Sequence, residues 1–508
     1  DTDIDLNALN ENITYTGGNL GYNVFNAKVN FINENIGKSD YAYYTELYRN
    51  QYHYSQFSHW NNDPNGLVYY NGWYHLYYQT NPYSKFWGDM YWGHARSQDL
   101  IHWEELPYAL FPDDGTMGMG LGNGYAWSGS AMVYRKGMSD VIDGYNWFPN
   151  GNGEGLIGFY TRDGAKQDQV IISSDDGGYT WVKRILLSQD LVYAGDKISC
   201  RDPSIFPVTK SGDKVTLWGM IVAGAESNDY WFLKSNDLVN WSLAGQGKCP
   251  YPECLTVSTL NTSDGLTHSV ITVSSRYYVV GDFSYDGTNI NFTLVSGRKL
   301  ENAISEDYQT MDYGDDSYAA QCFYIDDASS KYYGKRISLS WYQGLPSDAE
   351  SGLYAEVRTT WNGSGMTIPV ELGLAKENDR YILTQKPITI DNDDLSKTNV
   401  VNVIGEQFNN ESNILSEVAS QNLEIIASFT NENSESIEFR INESDDEYTS
   451  FGWNKDEGYY VDRSHTSDAG LSFNKNYHHR FSTGSCDLNN QTFYCLVDNG
   501  GFELFVGD

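Results

Sequence analysis

Three carboxylates stand in surroundings that set them apart from the other acidic residues: Asp63 in WNNDPNG (60–66), Asp202 in CRDP (200–203) and Glu253 in PYPEC (250–254). Pro64 fixes φ and Asn65-Gly66 accepts positive φ, so Asp63 belongs to a tight turn at the mouth of the strand-like run that follows. An Asx-turn capping a hairpin is the other reading of the same residues. Arg201 beside Asp202 would keep that carboxylate ionised and could itself donate hydrogen bonds to a bound molecule; an ordinary turn is spelled the same way. The prolines flanking Glu253, with an apolar neighbour, could desolvate it and raise its pKa, as a general acid requires.

Other chemistries find little support. The nine histidines are scattered, and the chain has no His-Glu-x-x-His, no phosphate loop and no Gly-x-Ser-x-Gly; WSGS at 127–130 lacks the first glycine of a nucleophile elbow. Carboxylates are left to do the acid–base and covalent work.

The elements that must position them read as strands. Short β-rich runs at 66–78, 156–160, 170–173, 215–222, 277–283 and 337–341 are separated by Asn, Asp and Gly turns. A faint repeat runs through them: SQDLIHW (97–103), SDDGGYTW (174–181) and SNDLVNW (235–241) each place a Trp after an Asp-containing turn. One outer hairpin per blade of a β-propeller produces that pattern. Near 375 the texture changes, and residues 376–414 are rich in Asp, Asn, Lys and Thr. Alternating runs at 423–429, 436–441 and 459–461 then suggest a β-sandwich. The expected division is an N-terminal extension (1–47), a propeller (48–375), a linker or outer-surface segment (376–414) and a sandwich (415–508).

A net charge of −35, from 68 acidic and 33 basic residues, argues against a nucleic-acid partner. No run approaches the roughly 18 apolar residues of a membrane span. The chain starts at Asp1 without a methionine and carries Asn-x-Ser/Thr at Asn12, Asn240, Asn261, Asn291, Asn362, Asn410, Asn442 and Asn490, which suggests a secreted, N-glycosylated protein. The six cysteines fit no zinc spacing, and Cys486 and Cys495 could bridge adjacent strands. Aromatics reach 15%, with 41 Tyr and 14 Trp, a supply that suits both all-β cores and sugar-stacking clefts.

In this order the three motifs resemble those of glycoside hydrolase family 32, the invertases, inulinases and levanases. The likeness continues through YHLYYQ (74–79), WG (87–88), YWGHA (91–95), WSGS (127–130), DYG and YAAQ (312–314 and 318–321), SW (340–341) and MTIP (366–369), and reaches VDRS (461–464) and FELF (502–505). It implies a five-bladed β-propeller followed by a β-sandwich, and a retaining hydrolase of β-fructofuranosyl linkages in sucrose or fructans that needs no cofactor or metal. Asp63 would be the nucleophile, Glu253 the acid/base and Asp202 a stabiliser of the fructosyl ring. Asn62, Gln79, Ser128 and Arg201 would bind that ring, with Trp60, Trp87, Trp127 and Trp341 walling the pocket. Asn61 and Leu255-Thr256 depart from the family pattern (Met, and Pro-Gly), and both are expected to reshape the rim near the leaving group. A fructosyltransferase and a non-catalytic sugar-binding protein are the competing expectations.

Overall fold

The computed structural model describes residues 44–46, 48–112, 124–140, 145–250, 252–314, 316–342, 361–390, 400–404, 413–429, 434–466, 480–486, 488 and 491–507. Strands dominate them. Five antiparallel sheets follow one another along the chain, each built on four main strands, with a short fifth strand added to the fourth sheet (Gln309–Thr310) and to the fifth (Gly365–Met366). The first comprises Trp60–Tyr70, Trp73–Asn81, Tyr91–Ser97 and Trp103–Leu110; the second, Tyr125–Tyr134, Gly155–Asp163, Gln167–Ser174 and Val182–Leu187. The third holds Arg201–Ser211, Lys214–Gly224, Asp229–Ser235 and Ser242–Lys248; the fourth, Thr256–Asn261, Thr267–Val273, Tyr277–Tyr285 and Ile290–Leu294. Ser317–Tyr324, Arg336–Tyr342, Val370–Glu377 and Arg380–Pro387 make the fifth.

The opening strand of each sheet touches the opening strand of the next, and the fifth returns to the first, so the sheets form a ring. Burial falls outward from the axis: Trp60–Tyr70 is buried almost throughout, whereas Val182–Leu187 and Ser242–Lys248 are mostly exposed or half-buried. That gradient explains the sequence texture, because inner strands covered on both faces read as continuous runs while outer ones alternate. The fold is a β-propeller followed by a β-sandwich.

The repeat has a structural cause. Ser97, Ser174 and Ser235 each end the third strand of a sheet, and each accepts a backbone N–H three or four residues on: Leu100 at 2.8 Å, Gly178 at 2.9 Å and Leu238 at 2.8 Å. Asp99, Asp176 and Asp237 accept further amides of the same turns. One Ser/Asx turn thus makes the same outer hairpin in three successive sheets.

Four expectations need correction. The run at 66–78 is not one strand: Asn71 and Gly72, both with positive φ, turn it into a hairpin. The fifth sheet passes 375, since Arg380–Pro387 pairs with Val370–Glu377; the charged texture there belongs to its solvent-facing outer strand. Residues 1–43 and 115–123 lie outside the described residues, as does most of 391–412. Cys486 and Cys495 are both free, with Cys486 exposed and Cys495 buried between Ile425 and Leu504. Finally, Asn362 is buried, accepting from Gln56 Nε2 at 2.9 Å, and cannot carry a glycan in the folded chain.

The sandwich pairs a three-stranded sheet (Asn422–Ser428, Thr492–Asp498, Gly501–Val506) with a four-stranded one (Ser436–Ile441, Thr449–Asn454, Gly458–Asp462, Arg480–Ser482) over Ile437, Phe451, Trp453, Phe493 and Val497. It is fastened to the segment leading into the ring. Buried Asp498 accepts from the backbone N–H groups of Gln51, Tyr52 and His53, and His53 is sandwiched between Asp498 (2.8 Å) and Glu503 (3.0 Å). Burial alone would lower the His53 pKa; the hydrogen bonds of the two carboxylates outweigh it and raise it to about 9, so the clamp is ionic at neutral pH.

Candidate active site

Four of the five inner strands become irregular near one end of the ring. In Trp60–Tyr70 the register slips between Asn61 and Pro64, which frees Asp63 from ladder pairing. In Tyr125–Tyr134 it slips between Ala126 and Gly129, around Ser128, and in Arg201–Ser211 it slips around Asp202. In Ser317–Tyr324 it slips just after Tyr318, where Ala319 has φ +56°. The fourth sheet supplies Glu253 from the turn ahead of its inner strand, with Cys254 at φ +48°. A bulge turns a side chain out of the alternation of its strand, and here each one points a polar group at the ring axis. Gly129 is required beside its bulge, since a Cβ there would lie 1.9 Å from the Phe159 carbonyl oxygen.

Asp63 is oriented from both sides. Trp60 Nε1 donates to Asn62 Oδ1 at 2.7 Å, which leaves the Asn62 amide nitrogen facing Asp63 Oδ1 at 3.1 Å. Ser128 Oγ donates to Oδ2 at 2.5 Å, and Cys254 Sγ approaches the same oxygen at 3.4 Å. Asp202 sits at φ +62°, a conformation that costs a non-glycine residue about 1 kcal/mol. Its amide is held by Thr161 Oγ1 at 2.9 Å; its Oδ2 accepts from Cys254 N at 3.1 Å and lies 3.6 Å from Cys254 Sγ. Glu253 receives Arg201 on Oε1 (Nε 3.1 Å, Nη2 2.8 Å) and the Tyr318 hydroxyl on Oε2. Its carbonyl accepts from Ser274 Oγ at 2.6 Å.

All eleven residues singled out from the sequence fall in this region. Trp60 packs on Trp341 with ring centroids 5.9 Å apart, and Trp87 meets Trp127 edge-on at 5.9 Å. The Arg201 guanidinium lies 5.7 Å from the Trp127 ring, and Gln79 Nε2 donates to the Ala126 carbonyl at 2.8 Å. Two residues went unrecognised. Cys254 bridges Asp63 to Asp202, and Tyr318 holds Glu253; the only trace of either was its place within a motif. A cleft elsewhere, lined by Asp312, Tyr342, Arg463 and Glu503 between the fifth sheet and the sandwich, contains none of these residues.

The electrostatics differ from expectation in one respect. Glu253 is not the desolvated carboxylate: 30% of its side chain is exposed and a guanidinium grips it, because the flanking prolines shape the turn without covering it. Desolvation falls on the other two. Burial raises Asp63 above the ordinary carboxylate range, opposed by the Ser128 hydrogen bond and reinforced by the Glu253 charge. Asp202 is pushed up to about 7 by burial, against the pull of Arg201 and with the charges of Glu253 and Asp63 adding to it. Asp63 and Asp202, both buried and both within reach of the Glu253 charge, cannot both ionise cheaply, so the pair retains a proton towards neutral pH. Cys254 is pushed well above 9 by burial and stays a neutral thiol donor.

Asp202 thereby opposes folding once ionised. A carboxylate whose folded pKa exceeds its unfolded value favours the native state below the unfolded pKa, and that advantage is lost as pH rises through the folded one. The window runs from about 4 to about 7. Asp202→Asn is therefore expected to unfold at a higher temperature than the unaltered chain at about pH 8, with the gap closing towards about pH 4. Thermal melts at the two pH values check this; an equal gap at both would contradict it.

Asn61 and Leu255 do not shape a rim. Asn61 is fully buried, its Oδ1 accepting from Ser364 Oγ at 2.5 Å, and Leu255 belongs to the core with Val257 and Ile271.

The family model described as the glycosyl hydrolases family 32 N-terminal domain matches residues 53–387, and that for the family 32 C terminal matches 391–508. A fructan beta-fructosidase of Streptococcus mutans is 34% identical over 370 residues, covering 70% of this chain and 23% of its own length. A levanase of Bacillus subtilis is 33% identical over 378 residues, 69% of this chain and 48% of its own. The chain thus spans less than half of either relative. In solved structures, an exo-inulinase from Aspergillus awamori superposes with a TM-score of 0.69 at 24% identity, covering 91% of this chain and 92% of the other.

Proposed function

Because the chain belongs to glycosyl hydrolase family 32, we propose that it hydrolyses β-fructofuranosyl linkages of sucrose or fructans with retention, through a covalent fructosyl-enzyme. The observation that carries this reading is the bridge made by Cys254: one residue touches Asp63 and Asp202 while its neighbour presents Glu253, so three carboxylates converge on one place.

The chemistry follows from the hydrogen bonds. Asp63 Oδ2 is engaged by Ser128 and Cys254, whereas Oδ1 meets only Asn62 among the described residues, so Oδ1 is the better attacking atom. It bonds to the anomeric carbon as the bond to the leaving oxygen breaks, and Glu253 gives that oxygen its proton. Glu253 then takes a proton from the water that attacks the same carbon, releasing Asp63 and fructose. Asp202, fixed by its own backbone, binds ring hydroxyls; Asn62, Gln79, Ser128 and Arg201 complete their contacts, and Trp60, Trp87, Trp127 and Trp341 wall the ring. Transfer to a second sugar is the competing outcome of the same intermediate, but the altered rim that favoured it has gone with the burial of Asn61 and Leu255.

Secretion fits the similarity to the extracellular exo-inulinases of Aspergillus niger and Aspergillus awamori. Exposed Asn240, Asn261 and Asn442 are the better glycan acceptors. Among the described residues no helix is long and apolar enough to cross a membrane. Incubation with sucrose, inulin and levan separately, followed by chromatography, tests the reading. Release of free fructose from at least one is expected; intact substrate in all three would overturn it.

A further inference from the structure

One feature beside the site is unused by the bond-breaking chemistry. The loop from Asn81 to Tyr91 joins the second and third strands of the first sheet and carries four aromatic residues, Tyr83, Phe86, Trp87 and Tyr91. Tyr83 is 40% exposed, Trp87 is 50% exposed and Tyr91 is half-buried. Exposed aromatic surface at the mouth of a polar site is costly in water and marks a place where a ligand completes the burial.

The loop is built to hold these rings still. Asn81 Oδ1 accepts from Tyr83 N at 3.1 Å and its Nδ2 donates to the Phe86 carbonyl at 3.1 Å, so one side chain pins both ends of the turn between Tyr83 and Trp87. Gly88 lets that amide in, since a Cβ there would stand 2.7 Å from Asn81 Nδ2. Trp60 N donates to the Ser84 carbonyl at 3.0 Å, which ties the loop to the strand carrying Asp63. The Tyr83 and Tyr91 hydroxyls bond each other at 3.2 Å, and the Tyr91 ring continues onto Phe111, centroids 5.6 Å apart.

We propose that Tyr83 and Tyr91 form a ledge that binds the leaving portion of a β-fructan chain beyond the scissile bond, and so favours polymer over sucrose. This rests on the fructoside-cleaving reading of the site and deepens it. Continuity with the leaving-group side supports it: Trp87 packs on Trp127, Trp127 lies beside Arg201, and Arg201 grips the residue that protonates the departing oxygen. A sugar unit stacks its C–H face on an aromatic face, and the paired phenols supply donors and acceptors for its hydroxyls. The glucose of sucrose ends at the pocket mouth, whereas a fructan continues past it onto the ledge.

The test compares kcat and KM for sucrose, a short inulin-type oligosaccharide and inulin in the unaltered chain, Tyr83→Ala and Tyr83→Trp. Tyr83→Ala is expected to raise KM for inulin about fivefold and to leave sucrose within about twofold, with kcat unchanged and the oligosaccharide between the two; Tyr83→Trp, which keeps an aromatic face, restores most of the loss. Equal effects on sucrose and inulin, or none on either, would overturn the ledge while leaving the cleavage chemistry intact. An unaltered chain inert towards all three would sink the reading of the site and the ledge with it.

Discussion

Asp63→Ala is expected to lower kcat for sucrose or inulin by about 10⁴-fold or more, because no fructosyl-enzyme can form. A 10⁴-fold loss corresponds to roughly 5.4 kcal/mol of transition-state stabilisation. Two features argue for an effect this large. Asn62, Ser128 and Cys254 all direct donors at one carboxylate, an arrangement that fixes the attacking oxygen before substrate arrives. The covalent step also has no second nucleophile in the same position, because Asp202 is held by the Cys254 amide at the far side of the thiol. Folding should survive the change, since burial makes the Asp63 charge unfavourable and its removal takes away that penalty. Steady-state kinetics with sucrose and with an activated fructoside, alongside a thermal melt, check the expectation. The same ionisation governs the acid limb of the pH profile: with Asp63 raised above the ordinary carboxylate range, kcat/KM should fall on the acid side at a higher pH than an unperturbed carboxylate would give.

Glu253→Ala is expected to fail in a different way. Sucrose cleavage should drop about 10³-fold, because the departing oxygen loses its proton donor. An activated fructoside, whose leaving group departs without a proton, should still form the fructosyl-enzyme, which then accumulates for want of a general base. Azide needs no base, so added azide should speed turnover and yield a fructosyl azide. Among the described residues, Glu253 is the carboxylate of the three that receives hydrogen bonds from both Tyr318 and Arg201, which sets it apart from Asp63 and Asp202. Product analysis with and without azide reads the outcome; a β-fructosyl azide, the retained product, from Asp63→Ala instead of Glu253→Ala would exchange the two roles.

Much of the fold was legible because it obeys local rules. The Ser-Asp turns at 97, 174 and 235 advertise themselves through side chains that bond their own backbone, and repetition of that turn signalled a propeller before any sheet was visible. The hairpin at Asn71-Gly72 was equally local, yet the long aromatic run around it concealed the turn. Bulges were only partly legible: a proline follows Asp63 and Asp202 at two of the slips, whereas no residue type announces the one around Ser128. Cys254 and Tyr318 were missed for a related reason, since each acquires its role through a contact 52 to 191 residues distant in sequence. The expected desolvation of Glu253 failed because proline neighbours describe backbone shape, whereas burial depends on what the rest of the chain places above it. Asn61 and Leu255 were assigned to a rim on the strength of adjacency alone, and their side chains point into the interior.

The central claim is that Asp63 forms a covalent bond to the fructosyl unit during turnover. Acid-quenching the Glu253→Ala variant during reaction with an activated fructoside, then digesting it and weighing the peptides, tests that claim most directly. A mass gain of one fructosyl residue is expected on the peptide containing Asp63, and on no other. Unmodified peptide throughout a reaction that visibly releases the leaving group, or the added mass on the peptide containing Asp202, would contradict it.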